Sequence, residues 1–150
     1  MKRITLFLLL ISVFIVTGCS NNAQLEGNAV LGTASSVAVE KLEIYHFHGN
    51  TQCYSCKTVG AYAEETVNTY FADELKSGKI VFGHINAQLP ENAGLANKYG
   101  VTGSSLWIGI YTKDGKFSAE ENVNVWYKIS NKGGYINYLK GIIEQKLAGN

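Results

Sequence analysis

Thr51-Gln52-Cys53-Tyr54-Ser55-Cys56-Lys57 is the stretch on which the reading of this chain turns. Two cysteines stand two residues apart. A strand-like run, Leu42 to His48, precedes them, and an amphipathic helical pattern, Val59 to Leu75, follows. Strand, short loop, C-x-x-C and helix is the order in which such a pair points to redox or metal chemistry. A helix starting near Cys53 aims its free N–H groups and the positive end of its dipole at that sulfur. This favours the thiolate, which is both the nucleophile and the metal ligand. Cys56, one turn along, lies behind Cys53 and is placed to close a disulfide onto it.

Upstream, the chain begins as a targeting segment would. Lys2 and Arg3 precede an apolar run from Ile4 to Val16, short for a membrane span and suited to a signal sequence. Val16-Thr17-Gly18-Cys19 follows. It resembles a lipobox, the signal for cleavage before a cysteine that then carries lipid. The expectation is a lipoprotein signal peptide over residues 1–18, lipid on Cys19, a flexible tether over 19–39 and one domain over 40–150. The tether is rich in Asn, Ala, Gly, Ser and Thr and contains no aromatic residue. The implied location is the outer face of the cytoplasmic membrane or the periplasm, held at the membrane through Cys19.

The chain has three cysteines. With Cys19 assigned to lipid, Cys53 and Cys56 remain, and a loop that short constrains little unfolded-state entropy. The pair therefore reads as chemistry rather than as a structural staple. Without Lys2 and Arg3, eleven basic residues face twelve acidic ones. This balance, with no basic patch, argues against nucleic-acid binding. No phosphate-binding Gly-rich motif, Ser-His-Asp signature or flavin fingerprint occurs, so no cofactor beyond the Cys53–Cys56 disulfide is expected.

Hydrophobic periodicity supplies the rest of the order. Residues 40–48 form a strand with Leu42, Ile44, His46 and His48 on one face and Tyr45 and Phe47 on the other. Gly78 suits the left-handed end of the first helix. Ile80 to Asn86 is a second strand, Pro90 opens a short helix over Glu91 to Tyr99, and Leu106 to Tyr111 is a third strand. Asp114-Gly115 marks a hairpin turn. Val123 to Ile129 is expected as the fourth strand, and Tyr135 to Leu147 carries the stripe of a last helix. The strands joined through helices are expected to be parallel and the last pair antiparallel.

In this order the chain resembles the thioredoxin fold: an α/β domain with a mixed four-stranded sheet and helices on both faces. Cys53 and Cys56 match the family's redox pair, Lys98-Tyr99-Gly100-Val101-Thr102-Gly103 its approach to the strand beside the active site, and Lys113-Asp114-Gly115-Lys116 its hairpin. Two features depart from the family. Tyr54-Ser55 stands where thioredoxin has Gly-Pro. Ser104-Ser105 fills the substrate-facing loop where the family has a cis-proline, Ser105 being the nearest match. More narrowly, residues 48–59 resemble the ArsF-type subunit of nitrophenyl-compound nitroreductases, which implies a redox partner protein.

The resemblance implies that Cys53 attacks and Cys56 resolves. His46 and His48 share a strand face near the pair. One of them is a candidate proton relay to Cys56. Alternatively, both join Cys53 and Cys56 in a soft-metal or arsenical site. The bland reading is a hydrogen-bonded core histidine and an exposed one. His84 reads as structural, and Trp107 and Trp126 as packing.

Overall fold

The computed structural model describes residues 38–150. The signal segment, Cys19 and the tether up to residue 37 lie outside the described residues. Strand β1 spans Val39–His48, helix α1 Tyr54–Tyr70, helix α2 Ala72–Ser77 and strand β2 Ile80–Asn86. A 3-10 turn at Pro90–Asn92 leads into α3, Ala93–Tyr99. Strand β3, Ser105–Thr112, and β4, Phe117–Glu121, form the hairpin. A 3-10 segment at Val123–Lys128 precedes α4, Lys132–Leu147. Among the described residues no helix is long and apolar enough to cross a membrane.

The sheet order is β2-β1-β3-β4. Strand β1 is parallel to β2, as expected, but antiparallel to β3, although a helix joins β2 to β3. Seven helical residues rise about 10 Å, while seven strand residues span about 23 Å. Helix α3 therefore does not run the length of the sheet, and β3 begins at the end where β1 and β2 finish.

One face of the sheet packs Leu42, Ile44, Leu106 and Ile108 against Val59, Ala63 and Val67 of α1 and Tyr135, Leu139 and Ile143 of α4. Each such side chain contributes about 1.5–3 kcal/mol on burial. The Tyr135 hydroxyl donates to the Val59 carbonyl at 2.8 Å, fixing α4 onto α1. The other face packs Phe47 against Ala96 and Tyr99 of α3. Helices therefore cover both faces of a mixed sheet.

On that second face Glu43 is buried, with Lys41 Nζ at 2.7 Å and the hydroxyls of Tyr99 and Tyr111 at 2.8 and 2.9 Å. Burial pushes its carboxyl up, but the three donors outweigh burial and hold it below its ordinary value. Gly109 stands opposite Glu43 in the register. A Cβ there would lie 2.8 Å from Tyr99 Cζ, so the missing side chain is what lets the hydroxyl reach the carboxylate.

Two elements differ from expectation. The long first helix breaks at Phe71, whose φ of −132° is not helical and whose ring is buried in the core. Gly78, at φ 74°, then ends α2. The fourth strand is Phe117–Glu121 and not Val123–Ile129. Pairing starts directly after the Asp-Gly turn, at Tyr111↔Phe117, and reaches Trp107↔Glu121. The Asn122 N–H still donates to the Leu106 carbonyl at 2.8 Å. Beyond it β3 is nearly used up, so Val123–Lys128 coils as a 3-10 segment, with Val125 buried and Val123 exposed.

Candidate functional site

Cys53 and Cys56 form a disulfide with Cα atoms 5.1 Å apart. Cys53 is the N-cap of α1, and its Sγ accepts the Cys56 N–H at 3.1 Å. No acidic residue occupies the first turn of α1, so a Cys53 thiolate is the anion that end of the helix receives. Cys53 is exposed, Cys56 half-buried and Lys57 exposed. Tyr54, 84% exposed, holds its ring in solvent next to the disulfide.

The loop before Cys53 is held by amides. Asn50 N–H donates to Gln88 Oε1 at 2.8 Å, and Asn86 Nδ2 donates to Asn50 Oδ1 at 2.8 Å. The Ala87 N–H donates to the His48 carbonyl at 2.8 Å. These bonds tie the loop to the end of β2 and set the entry into α1.

Beside that loop lies a groove of about 380 Å³, lined by His48, Thr51, Gln88, Thr102, Gly103 and Ser104 among others. Ser104 Oγ is buried there without a hydrogen-bond partner among the described residues. Ser105 is placed differently from its neighbour. It is buried, and its Oγ accepts Trp107 Nε1–H at 2.7 Å on the α3 face of the sheet. Of the two serines expected to face a substrate, Ser104 borders the groove.

His46 and His48 share a face, with ring centroids 5.6 Å apart. His48 is half-buried and its Nδ1 donates to the Gly49 carbonyl at 2.9 Å. His46 is fully buried under α1, in the space that Gly60 leaves: a Cβ at position 60 would lie 2.8 Å from His46 Cε1. Its Nδ1 stands 3.0 Å from His84 Nδ1. Burial, followed by His84 and His48, pushes the imidazolium down to about 4, against a smaller upward pull from the Cys56 backbone. At neutral pH the ring is neutral.

His84 and Gly60 were not singled out from sequence as part of the site. His84 enters it through the parallel register, which pairs His46 with His84. Gly60, in the middle of a helical stripe, was the available signal that something large lies beneath. Among the described residues no group of three or more His, Cys, Asp or Glu side chains is disposed to hold a metal ion.

No family model matches the chain, and no curated protein is similar to it. Among solved structures it is similar to the Trx4 domain of ERdj5, at 14% identity and a TM-score of 0.50, over 75% of this chain and 84% of that one. The chain therefore has a thioredoxin-like α/β fold carrying a Cys53–Cys56 C-x-x-C disulfide. At that identity the likeness speaks for the fold alone.

Proposed function

We propose that this protein passes electrons by thiol–disulfide exchange through Cys53 and Cys56 to a specific partner protein. The observation that carries the reading is the disulfide at the start of α1, with the exposed sulfur of Cys53 capping the helix. Cys53 as a thiolate attacks a partner disulfide, one partner thiolate leaves, and a mixed disulfide forms. Cys56 then attacks Cys53 Sγ, the second partner thiolate leaves, and the oxidised pair remains. Tyr54 and the groove bordered by Thr51 and Ser104 are the surfaces a partner chain would meet. His46, neutral and beneath α1, is the candidate proton acceptor for Cys56.

The resemblance of residues 48–59 to the ArsF-type subunit supports a narrower role, as an electron-supplying subunit of a nitroreductase. Val16-Thr17-Gly18-Cys19 supports a membrane-tethered form outside the cytoplasm, through lipid on Cys19. Mass spectrometry of the mature N-terminus tests the tether: lipid on Cys19 is expected, and an unmodified Cys19 overturns it.

Titration of the pair in glutathione buffers tests the function. A reversible two-electron midpoint and catalysed reduction of insulin by dithiothreitol are expected, both lost in Cys53→Ser. A soft-ion-binding role for the same thiols would appear instead as stoichiometric uptake of Zn²⁺ or a trivalent arsenical without turnover, and that result would replace the exchange reading.

A further inference from the structure

His46 Nε2 is buried and has no hydrogen-bond partner among the described residues. Leaving a buried polar atom unpaired costs about 1–3 kcal/mol, so its persistence asks for an explanation. The other side of the ring leads outward. His46 Nδ1 lies 3.0 Å from His84 Nδ1, and His84 Nε2 lies 3.4 Å from Glu64 Oε2. His84 and Glu64 are exposed, whereas His46 is not. On α1, Cys56, Gly60 and Glu64 follow one another at intervals of four and so lie along one stripe of the helix. The sheet row His46–His84 runs beneath that stripe.

The Glu64 carboxylate sets the tautomers. It only accepts, so the proton it faces stays on His84 Nε2, which donates the hydrogen bond. With that proton on Nε2, His84 presents the lone pair of Nδ1, which accepts the His46 Nδ1–H. This leaves the lone pair of His46 on the buried Nε2 of a ring that packs against Gly60, one helical turn after Cys56 on α1.

We propose that His46, His84 and Glu64 form a proton path between the resolving cysteine Cys56 and solvent. The proposal rests on the exchange reading above. In the mixed disulfide, Cys56 S–H gives its proton to His46 Nε2. In the same event His46 Nδ1–H passes to His84 Nδ1 and His84 Nε2–H passes to Glu64, which releases it to water. The Cys56 thiolate forms the bond to Cys53 Sγ, and the bond from Cys53 to the partner sulfur breaks. The partner thiolate leaves with that electron pair and takes a proton from water. When a donor reduces the pair again, the proton returns to Cys56 along the same atoms and both tautomers reset.

The path explains why a buried histidine needs a second one. Burial makes His46 too weak a base to store the proton, so it serves only by releasing one proton as it takes another. The ionisable groups around it are His48 on β1, His84 on β2, and Cys56 and Glu64 on α1. Leu106 opposes it on β3, and the buried side chains of α4 are Tyr135, Leu139 and Ile143.

The test is a single-turnover reaction of the reduced full chain with glutathione disulfide, quenched by acid and resolved by mass spectrometry. Attack by Cys53 and resolution by Cys56 are then timed separately. In Glu64→Gln and His84→Phe, the ratio of resolution to attack should fall by about tenfold or more. Glu64→Asp should restore it, and imidazole buffer should restore it in His84→Phe. Glu64 is exposed, so its variant reports on the path without threatening the fold. A ratio and pH profile like the wild type in both variants overturn the path and leave the exchange reading standing. A wild type with no exchange at all overturns both.

Discussion

Gly60 and His46 occupy a space that holds only one side chain. A Cβ at position 60 would stand 2.8 Å from Cε1 and 3.0 Å from Cγ of a ring that is itself fully enclosed. Helix α1 therefore rests on an imidazole at the point where most helices would rest on their own side chains.

Gly60→Ala should destabilise the protein. Alanine gains up to about 1 kcal/mol of helix propensity over glycine. Forcing a methyl into a packed site costs about 1–3 kcal/mol, and the ring has nowhere to go. A net loss of about 1 kcal/mol is expected in urea unfolding. Equal or higher stability would show that the ring can move aside.

Cys53 should alkylate faster than Cys56 in the reduced protein at neutral pH. Cys53 is the exposed cap that accepts a backbone N–H, and Cys56 is half-buried. Each pKa unit by which the cap lowers Cys53 gives about a tenfold gain in thiolate below that pKa. Iodoacetamide labelling followed by peptide mapping measures the ratio. Faster labelling of Cys56 would reverse the two roles.

Acid should weaken the fold through His46. Its folded value of about 4 lies below the ordinary 6.5, so the unfolded chain binds the proton more readily. This contribution is fully present above 6.5 and is lost as pH falls toward 4. Between pH 7 and pH 5 it amounts to about 2 kcal/mol. Glu43, with its carboxyl held below 4.5, loses its contribution only at lower pH, so the windows separate. His46→Phe should flatten the slope between pH 7 and 5. An unchanged slope would place the titration elsewhere.

Glu43→Gln should cost about 2–3 kcal/mol and leave Cys53 alkylation untouched. The amide keeps the shape but turns an N–H₂ toward groups that donate: Lys41, or the hydroxyls of Tyr99 and Tyr111. The network lies on the α3 face, away from α1. A change in Cys53 reactivity would couple the two faces.

Much of this architecture was legible residue by residue. Ile80–Asn86 is apolar, bounded by Gly78 and Pro90, and forms the strand its composition announces. The C-x-x-C needs only its neighbours to be read, because a helix start acts on one turn. Phe117–Glu121 was not legible as a strand: it is a short edge strand paired on one side, and its partly exposed face carries little apolar signal. Val123 and Val125 alternate like a strand, but a strand needs a partner, and β3 is nearly exhausted by then. His84 was opaque for a different reason. Its neighbour lies 38 residues away, and only the register between β1 and β2 brings the two rings to 3.0 Å.

The cap at Cys53 has a thermodynamic consequence for the redox couple. The same sulfur ends a helix in one oxidation state and shares a covalent bond in the other. As a thiolate it meets the helix end with a full charge; in the disulfide it meets it as a neutral acceptor. Closing the cycle of folding and reduction, every increment by which the charged cap favours the reduced fold reappears as oxidising strength of the pair. Stabilising or spoiling the first turn of α1 therefore moves the reduction potential of the pair up or down, with no change to either cysteine.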